Sequence, residues 1–234
     1  MAKKEKITIE HAVELLSPIT SLLTPPQLDE FRQVVSVEHY AKNAEIYSEG
    51  AAPSHLLCLL TGKAKIAKQG VGGRQQIMRI VKPGELFGYR AYFASQNYVT
   101  LASAFEQSAI ATIPMDVIAR WMSENNPLSL FFVRQLAIDL GLSDQRTVSL
   151  TQKHIRGRLA DALLFLADAY GFEEDECTLA IRPTRENIAN LSNMTTSNAI
   201  RTLSAFAAEE LIHIEGRVIR LLNIDEIRQI SDNG

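Results

Sequence analysis

The sequence predicts an α+β protein in which an N-terminal β-roll of the jelly-roll type precedes a long helix and a C-terminal winged helix-turn-helix. Short apolar runs separated by glycine, asparagine and proline fill residues 38–114, a texture typical of a β-barrel or β-sandwich. Helical periodicity then runs over residues 127–153, and two short helical patterns followed by a hairpin come after it. We therefore place the domain boundaries at residues 1–126, 127–153 and 154–234.

Composition limits the compartment of the protein and the kinds of site it can hold. Its 234 residues carry a formal net charge of -3, and no apolar run approaches the roughly 18 residues of a membrane span. The N-terminus has no apolar segment typical of a signal peptide, so we expect a cytoplasmic protein, without membrane association and with reduced thiols. Cys58 and Cys177 form no Cys-x-x-Cys pair, so we expect neither a zinc finger nor an iron–sulfur cluster.

Two helices are predicted ahead of the roll, over residues 8–23 and from a capping box at Thr24–Gln27. The roll then contains apolar runs that we predict to be strands. Glycines at Gly62 and in the stretch Gly70–Gly73 fit hairpin turns that need a positive φ. The predicted strands lie at Ile46–Tyr47, Leu56–Leu60, Lys63–Ala67, Gln76–Val81 and Ala109–Ile113.

The helix predicted over residues 127–153 would be about 40 Å long. A helix of this length is hard to bury within one small domain, and packing against a two-fold copy buries it most simply, with Leu142 as a candidate for the seam. The alternative is a long helix packed on its own barrel. A second helix is predicted from Ile155 to Tyr170, ending at Gly171, and the acidic loop at residues 173–176 is predicted to be solvated.

The region after Pro183 predicts a helix-turn-helix. Thr184 is a candidate N-cap for its first helix, and Thr195 for its second. Asn193 stands where the turn needs a left-handed residue, for which asparagine is the best choice after glycine. In the second helix one face is apolar, whereas Thr196 and its neighbours form a polar face, as a recognition helix requires. The apolar face is Ala199, Leu203 and Phe206, and the polar residues are Thr196, Ser197 and Arg201.

A hairpin follows the second helix, with β-branched residues alternating around Glu215-Gly216. This pattern predicts a wing, and Arg217 lies beside its tip. Arg201 is the one polar-face residue able to bond guanine in a bidentate fork, whereas Arg185 and Arg217 flank the motif and are expected to contact phosphate. The alternative is an ordinary helical hairpin with a polar face. The candidate DNA-binding residues are Thr184, Arg185, Thr195, Thr196, Ser197, Asn198, Arg201 and Arg217.

The order of these elements resembles the CRP/FNR superfamily of transcription regulators, over about residues 31–222. The motifs that carry the resemblance are Ile46–Gly50, Leu57–Gly62, Lys82–Gly88, Ala102–Ala104, Gly157–Ala160 and Thr184–Leu203. The resemblance implies that the roll is like a cyclic-nucleotide-binding domain and that the long helix forms a homodimer. It also implies that the dimer binds double-stranded DNA at a two-fold operator. A small-molecule effector and, for an activator, RNA polymerase are further partners that it implies.

The chain departs from the superfamily at the effector site. Cyclic-nucleotide binders of this type carry a Gly-Glu pair, whose Glu binds the ribose, and a later Arg that binds the cyclic phosphate. Here Tyr89 follows Gly88, and Tyr98 or Val99 stands near the Arg position, while Arg90 is one residue away. A buried cyclic phosphate without its cation is costly, so we do not expect cyclic AMP to bind, and the effector is unidentified. The candidate effector-pocket residues are Gly88, Tyr89, Arg90, Tyr98, Thr100 and Ser143.

Two other classes of function were weighed. An enzyme with a metal in the roll would need clustered histidines, but only His39 and His55 border the predicted barrel, so we expect no enzymatic activity and no metal site. A lone histidine such as His55 is also more often structural than a haem ligand. The second class is a cyclic-nucleotide or other small-molecule sensor that acts through partner proteins rather than DNA. The wing and Arg201 argue against it.

Overall fold

The computed structural model of the protein describes residues 9–70 and 75–234. The predicted helix start at residue 8 and residues 71–73 of the predicted turn lie outside the described residues. Contacts divide the chain into two compact units. One unit contains the residues up to Gln69 together with Met78–Asp139, and the other contains Gly70–Ile77 together with Leu140–Gly234.

The N-terminal part of the first unit is helical. Helices α1 (Ile9–Leu15) and α2 (Ser17–Thr20) take the place of the single helix predicted over residues 8–23. Pro18 explains the break, because it has no backbone N–H to continue the helical ladder. Helix α3 (Pro25–Val34) begins at the predicted capping box, where the Thr24 backbone N–H donates to the Gln27 side chain at 3.1 Å.

The described strands of the roll form two antiparallel sheets, ordered β1-β8-β3-β6 and β2-β7-β4-β5. They are β1 (Ser36–Tyr40), β2 (Glu45–Tyr47), β3 (His55–Thr61), β4 (Ala64–Gln69), β5 (Gln75–Val81), β6 (Leu86–Phe87), β7 (Leu101–Ala104) and β8 (Ser108–Pro114). The five predicted strand segments are present, whereas β1, β6 and β7 were not assigned from the sequence. Strand β6 has only two residues, and β7 has little apolar alternation, so neither carries a strong strand pattern.

Strand β3 is apolar along nearly its whole length because it is covered on both faces. Leu57 and Leu59 point between the sheets, where they pack with residues such as Ile110. Leu56 and Cys58 point the other way, into a second apolar cluster built with the helices. These helices are α1, α2, α3, α5 (Met115–Glu124) and the first turns of α6 (Asn126–Gln152); the short helix α4 (Tyr89–Phe93) also packs there.

Helix α6 matches the predicted long helix to within one residue at each end. Asn125 fixes its start, because its side-chain oxygen accepts the Leu128 backbone N–H at 3.1 Å. One face carries exposed apolar side chains, with the exposed Asp144 in the same arc. This exposed stripe consists of Leu130, Val133, Ala137, Leu140 and Val148, and its four larger side chains are 50–63% exposed.

Leu142 does not belong to the exposed stripe of α6. It is five residues beyond Ala137, which places it about 140° away around a helix of 3.6 residues per turn. Leu142 is itself 57% exposed, so its place on a two-fold seam stays a prediction, and Leu140, which is 63% exposed and falls within the stripe, is a second candidate.

The second unit contains α7 (Ile155–Tyr170), which matches its predicted bounds and ends at Gly171 with φ 73°. Helices α8 (Arg185–Leu191) and α9 (Thr196–Ala208), strands β9 (Ile212–Glu215) and β10 (Val218–Leu221), and helix α10 (Ile224–Asn233) follow. The core residues Leu163, Leu203 and Phe206 are buried. Helix α10, which the sequence analysis missed, packs against α7. Within the described residues no helix is both long and apolar enough to cross a membrane.

The acidic loop at residues 173–176 is exposed, as predicted, and one of its carboxylates also has a structural role. The Asp175 carboxylate accepts hydrogen bonds from the Thr178 hydroxyl at 2.6 Å and from the Thr178 backbone N–H at 2.8 Å. These bonds lower the pKa of Asp175 far below its usual range. The carboxylate therefore stabilises the loop locally in the manner of an Asx turn. The sequence does not distinguish Asp175 from the acidic residues around it.

Candidate DNA interface

The first helix of the motif, α8, begins where the sequence predicts. The Thr184 hydroxyl accepts the Asn187 backbone N–H at 3.0 Å, which caps the helix. Arg185, the next residue, donates from its guanidinium to the Gly216 carbonyl oxygen in the wing at 3.0 Å. Arg185 thus already has a structural contact in the protein, in addition to the phosphate contact expected from the sequence.

The turn between α8 and α9 is left-handed at Asn193, with φ 48°, as predicted. Met194 is buried behind it, and its backbone N–H donates to the Ala189 carbonyl at 3.0 Å. The Arg158 side chain reaches the turn from α7 and donates to the Asn193 carbonyl at 3.0 Å. The turn is therefore fixed on both sides, which determines where α9 begins.

Helix α9 starts at Thr195, whose hydroxyl accepts the Asn198 backbone N–H at 3.2 Å. The predicted core face is buried, since Ala199, Leu203 and Phe206 are at most 1% exposed. The opposite face is open to solvent. Thr195, Thr196, Ser197 and Arg201 are exposed there, and Asn198 is half-buried.

Arg201 is positioned by its own helix. Its guanidinium donates to the Asn198 side-chain oxygen at 2.9 Å. Because that partner is a neutral amide, the full charge of Arg201 stays available. Among the described residues neither Arg201 nor Arg217 is paired with a carboxylate. An exposed, unpaired arginine on the outer face of such a helix has the chemistry to bond the O6 and N7 atoms of guanine.

The wing is the antiparallel hairpin β9–β10, in which Val218 pairs with Glu215. Gly216 has φ 58° at its tip, which meets the predicted need for a positive φ. Arg217 is exposed beside it. The hydrogen bond from Arg185 joins this tip to the start of α8, so the two candidate phosphate-binding arginines lie on one connected surface.

The far end of α9 carries acidic residues, but one is neutralised. Glu209 accepts two hydrogen bonds from Arg156, at 2.6 and 2.7 Å, and these bonds lower the pKa of Glu209. The Arg156 guanidinium also lies 4.9 Å from the centre of the Phe206 ring. The pair fixes the C-terminal end of α9 to α7 and offsets a charge that would repel DNA.

The candidate effector residues in the roll are placed in two different environments. Gly88 has φ 87° and lies against Leu57, and it leads into α4. Tyr89 is buried, and its hydroxyl donates to the Asp139 carboxylate at 3.0 Å. Burial is the main reason that the pKa of Tyr89 lies well above its usual value. Arg90 is exposed, and its charge partly offsets the rise that burial causes in the pKa of nearby Tyr47.

Tyr98 is buried elsewhere in the roll and stacks on Tyr47, with ring centroids 3.9 Å apart. Burial raises the pKa of Tyr98 to about 12. Thr100 is half-buried and hydrogen-bonds the Tyr47 side chain. Ser143 is an exposed residue of α6 in the second unit. Among the residues described, no three His, Cys, Asp or Glu side chains are grouped as metal ligands would be.

Two surface residues of α9 escaped the sequence analysis. Ile200 is 46% exposed, and Ser204 is exposed as well. Ile200 and Ser204 follow Ser197 by three and seven residues, and residues at these spacings lie on the same face of a helix. The helical period of the sequence therefore predicts that both are on the outward face. Ile200 was passed over because an apolar residue in an amphipathic helix is first assigned to the core.

Comparison with known proteins agrees with this arrangement. Residues 37–125 match the family model for a cyclic nucleotide-binding domain, and residues 157–230 match the model for a Crp-like helix-turn-helix domain. The chain is 23% identical over 189 residues to a "CRP-like cAMP-activated global transcriptional regulator" of Mycobacterium tuberculosis, covering 80% of this chain and 84% of that protein. It is 24% identical over 222 residues to a "Fumarate and nitrate reduction regulatory protein" of Vibrio cholerae, covering 93% and 87%.

The fold also matches a solved structure over nearly its whole length. A putative transcriptional regulator of the crp/fnr family from Eubacterium rectale superposes with a TM-score of 0.81 at 16% identity, covering 93% of this chain and 99% of that chain. At this identity the likeness establishes the fold, whereas the family assignment depends on the two domain models and on the sequence relatives.

Proposed function

Because the chain belongs to the CRP/FNR family of DNA-binding transcription regulators, we propose that it binds a two-fold DNA operator as a homodimer and regulates transcription from it. The observation that carries the proposal is the outward face of α9. A helix that is capped, braced and buried on one side presents Thr196, Ser197 and Arg201 to solvent beside a wing. This is the arrangement that places a helix in the major groove.

Within that groove Arg201 makes the principal base contact. Thr196, Ser197 and Asn198 make shorter polar contacts with bases or phosphates. Two further groups of residues bind the DNA backbone. Thr184 and Thr195 lie at the N-termini of α8 and α9, where helix ends favour anions, and Arg185 and Arg217 supply positive charge at the wing.

The homodimer forms through the exposed stripe of α6. Leu130, Val133 and Leu140 are each more than half exposed, and a row of such residues at helical spacing is typical of a surface that packs against a copy of itself. Two-fold pairing would set the two recognition helices about 34 Å apart, one turn of DNA. The operator is then an inverted repeat.

The effector is not cyclic AMP. Tyr89 takes the position of the ribose-binding Glu, and its hydroxyl is already bonded to Asp139. Tyr98 stands near the position of the phosphate-binding Arg and is stacked on Tyr47. Arg90, the cation nearest in sequence, is exposed, and it lies near enough to Tyr47 to oppose the rise that burial causes in the pKa of that tyrosine. The relative from M. tuberculosis is described as cAMP-activated, whereas the Gly-Glu pair and the later Arg of cyclic-nucleotide binders are not found here around Gly88 and Tyr98.

The protein acts on chromosomal DNA in the bacterial cytoplasm, with RNA polymerase as its partner wherever it activates. Selection of bound sequences from a random pool of double-stranded DNA tests the proposal, together with light scattering of the protein alone and in complex. We expect an inverted repeat with half-site centres one helical turn apart, bound by two protomers. Recovery of no preferred sequence would overturn the proposal and would favour a sensor that acts through partner proteins.

A further inference from the structure

Ile200 is an apolar side chain exposed on the recognition helix. It is 46% exposed, although it lies between Ala199, which is fully buried, and Arg201, which is exposed. A single exposed aliphatic residue needs no explanation on an ordinary surface. On a helix face whose other residues can hydrogen-bond DNA, such a side chain has a possible partner, because DNA carries an apolar group in its major groove.

The geometry of α9 places Ile200 inside the proposed interface rather than at its edge. At about 100° per residue, Thr196, Ser197 and Arg201 span an arc of about 140° around the helix. Ile200 lies about 40° from Thr196 within this arc, and Ser204 lies about 80° from Thr196. Any approach of DNA that brings Thr196 and Arg201 into contact therefore covers Ile200.

We propose that Ile200 reads a thymine by packing against its 5-methyl group in each half-site. This inference depends on the proposed function, in which α9 enters the major groove. The thymine methyl is the apolar group that a base pair presents in that groove. Burying it against the exposed part of an isoleucine removes apolar surface of both partners from water, and one buried methyl contributes about fourfold in affinity.

The same contact rejects cytosine. At C5, where thymine carries its methyl group, cytosine carries only hydrogen, and beside it the N4 amino group of cytosine replaces the O4 of thymine and donates hydrogen bonds. Ile200 has no acceptor for it and would exclude the water that otherwise satisfies it, so the donor would be left unpaired. The preference for a T·A pair at this position thus has an attractive and a repulsive component, both from one side chain.

Replacing thymine with uracil tests this directly, since uracil lacks only the methyl group. The full-length protein is first used to select its preferred operator, and each thymine is then replaced by uracil, one symmetric pair at a time. We expect one pair to lower the affinity of the wild-type protein about 15-fold, which is about fourfold per half-site. For I200A we expect the same pair to change affinity by less than about twofold. L222A, which removes another aliphatic side chain exposed to a similar degree, is the matched control and should keep the full effect of uracil.

The outcomes separate the two proposals. If wild type and I200A both bind a preferred sequence and respond equally to every uracil replacement, Ile200 does not read thymine. That result would overturn the reading by Ile200 and leave the DNA-binding function intact. Absence of any preferred DNA sequence would overturn both. Thermal unfolding of I200A close to that of wild type confirms that a lost uracil effect does not come from misfolding.

Discussion

The hydroxyl of Tyr89 donates a hydrogen bond to the carboxylate of Asp139, 3.0 Å away and fifty residues further along the chain. Tyr89 belongs to α4, next to the roll, and Asp139 belongs to α6. The other oxygen of Asp139 accepts from Arg79 at 3.2 Å, and Arg79 also contacts Glu85. Protein groups therefore join the roll to the long helix at Tyr89, the residue after Gly88.

The first prediction concerns this hydrogen bond. Y89F should lower the free energy of unfolding by about 1 kcal/mol, because a partly buried bond to a charged acceptor is lost while Arg79 still pairs with Asp139. Urea unfolding monitored by circular dichroism measures it. Y92F is the matched control, because Tyr92 lies on the same helix and the described residues give its hydroxyl no hydrogen bond. A Y89F protein as stable as Y92F would show that the bond contributes nothing.

The second prediction is that cyclic AMP does not bind at micromolar concentrations. Tyr89 and Tyr98, which the sequence comparison with cyclic-nucleotide binders predicts at or near the positions of the nucleotide-binding Glu and Arg, are both buried. Because Arg79 is already paired with Asp139 and Glu85 and Arg90 is exposed, a cyclic phosphate buried there would lose its hydration without a dedicated cation, which costs several kcal/mol. Isothermal calorimetry should give no heat of binding, with a cAMP-activated relative as the positive control. A dissociation constant in the micromolar range would contradict the assignment.

The third prediction concerns the exposed stripe of α6. L140D should shift the protein from dimer to monomer, because a two-fold seam would bury the new carboxylate without a partner. L142D introduces the same charge two residues away, where the side chain is 57% exposed but outside the stripe, and it should remain dimeric. Light scattering at micromolar concentration compares them. If L142D dissociates and L140D does not, the seam lies on another face of the helix.

The fourth prediction concerns the turn of the helix-turn-helix. N193V should lower the free energy of unfolding by about 1–2 kcal/mol, since a β-branched residue is strained at φ 48°. N193G should be at least as stable as the wild type, because glycine adopts a positive φ without strain. Thermal unfolding of both variants measures the difference. Equal stability of N193V and N193G would mean that the turn does not need a left-handed residue.

Features set by neighbouring residues were predictable, and those set by distant contacts were not. The caps at Thr184 and Thr195, the turn at Asn193 and the wing tip at Gly216 all follow from local chemistry. The stacking of Tyr98 on Tyr47 joins residues about fifty positions apart, and no periodicity reveals it. The break at Pro18 was visible in the sequence, but apolar spacing was given more weight than the missing N–H.

The last prediction separates base reading from phosphate binding. R201A should lower affinity for the selected operator by about 1–3 kcal/mol per half-site and relax the preference at one base pair, because only Arg201 on the outer face of α9 can form a bidentate bond with guanine. R217A should weaken binding to operator and scrambled DNA alike, and it should flatten the salt dependence, because a phosphate contact displaces counterions from any sequence.

Arg185 should behave as a mixed case. R185A removes a candidate phosphate contact, and it also removes the hydrogen bond that holds the wing tip at Gly216. Its loss of affinity should therefore exceed that of R217A, with a similar change in salt slope. Fluorescence anisotropy with both DNAs across a salt series measures all three variants. Should R201A lose affinity equally for operator and scrambled DNA, Arg201 would be a backbone contact and the outward face of α9 would not be the surface that reads bases.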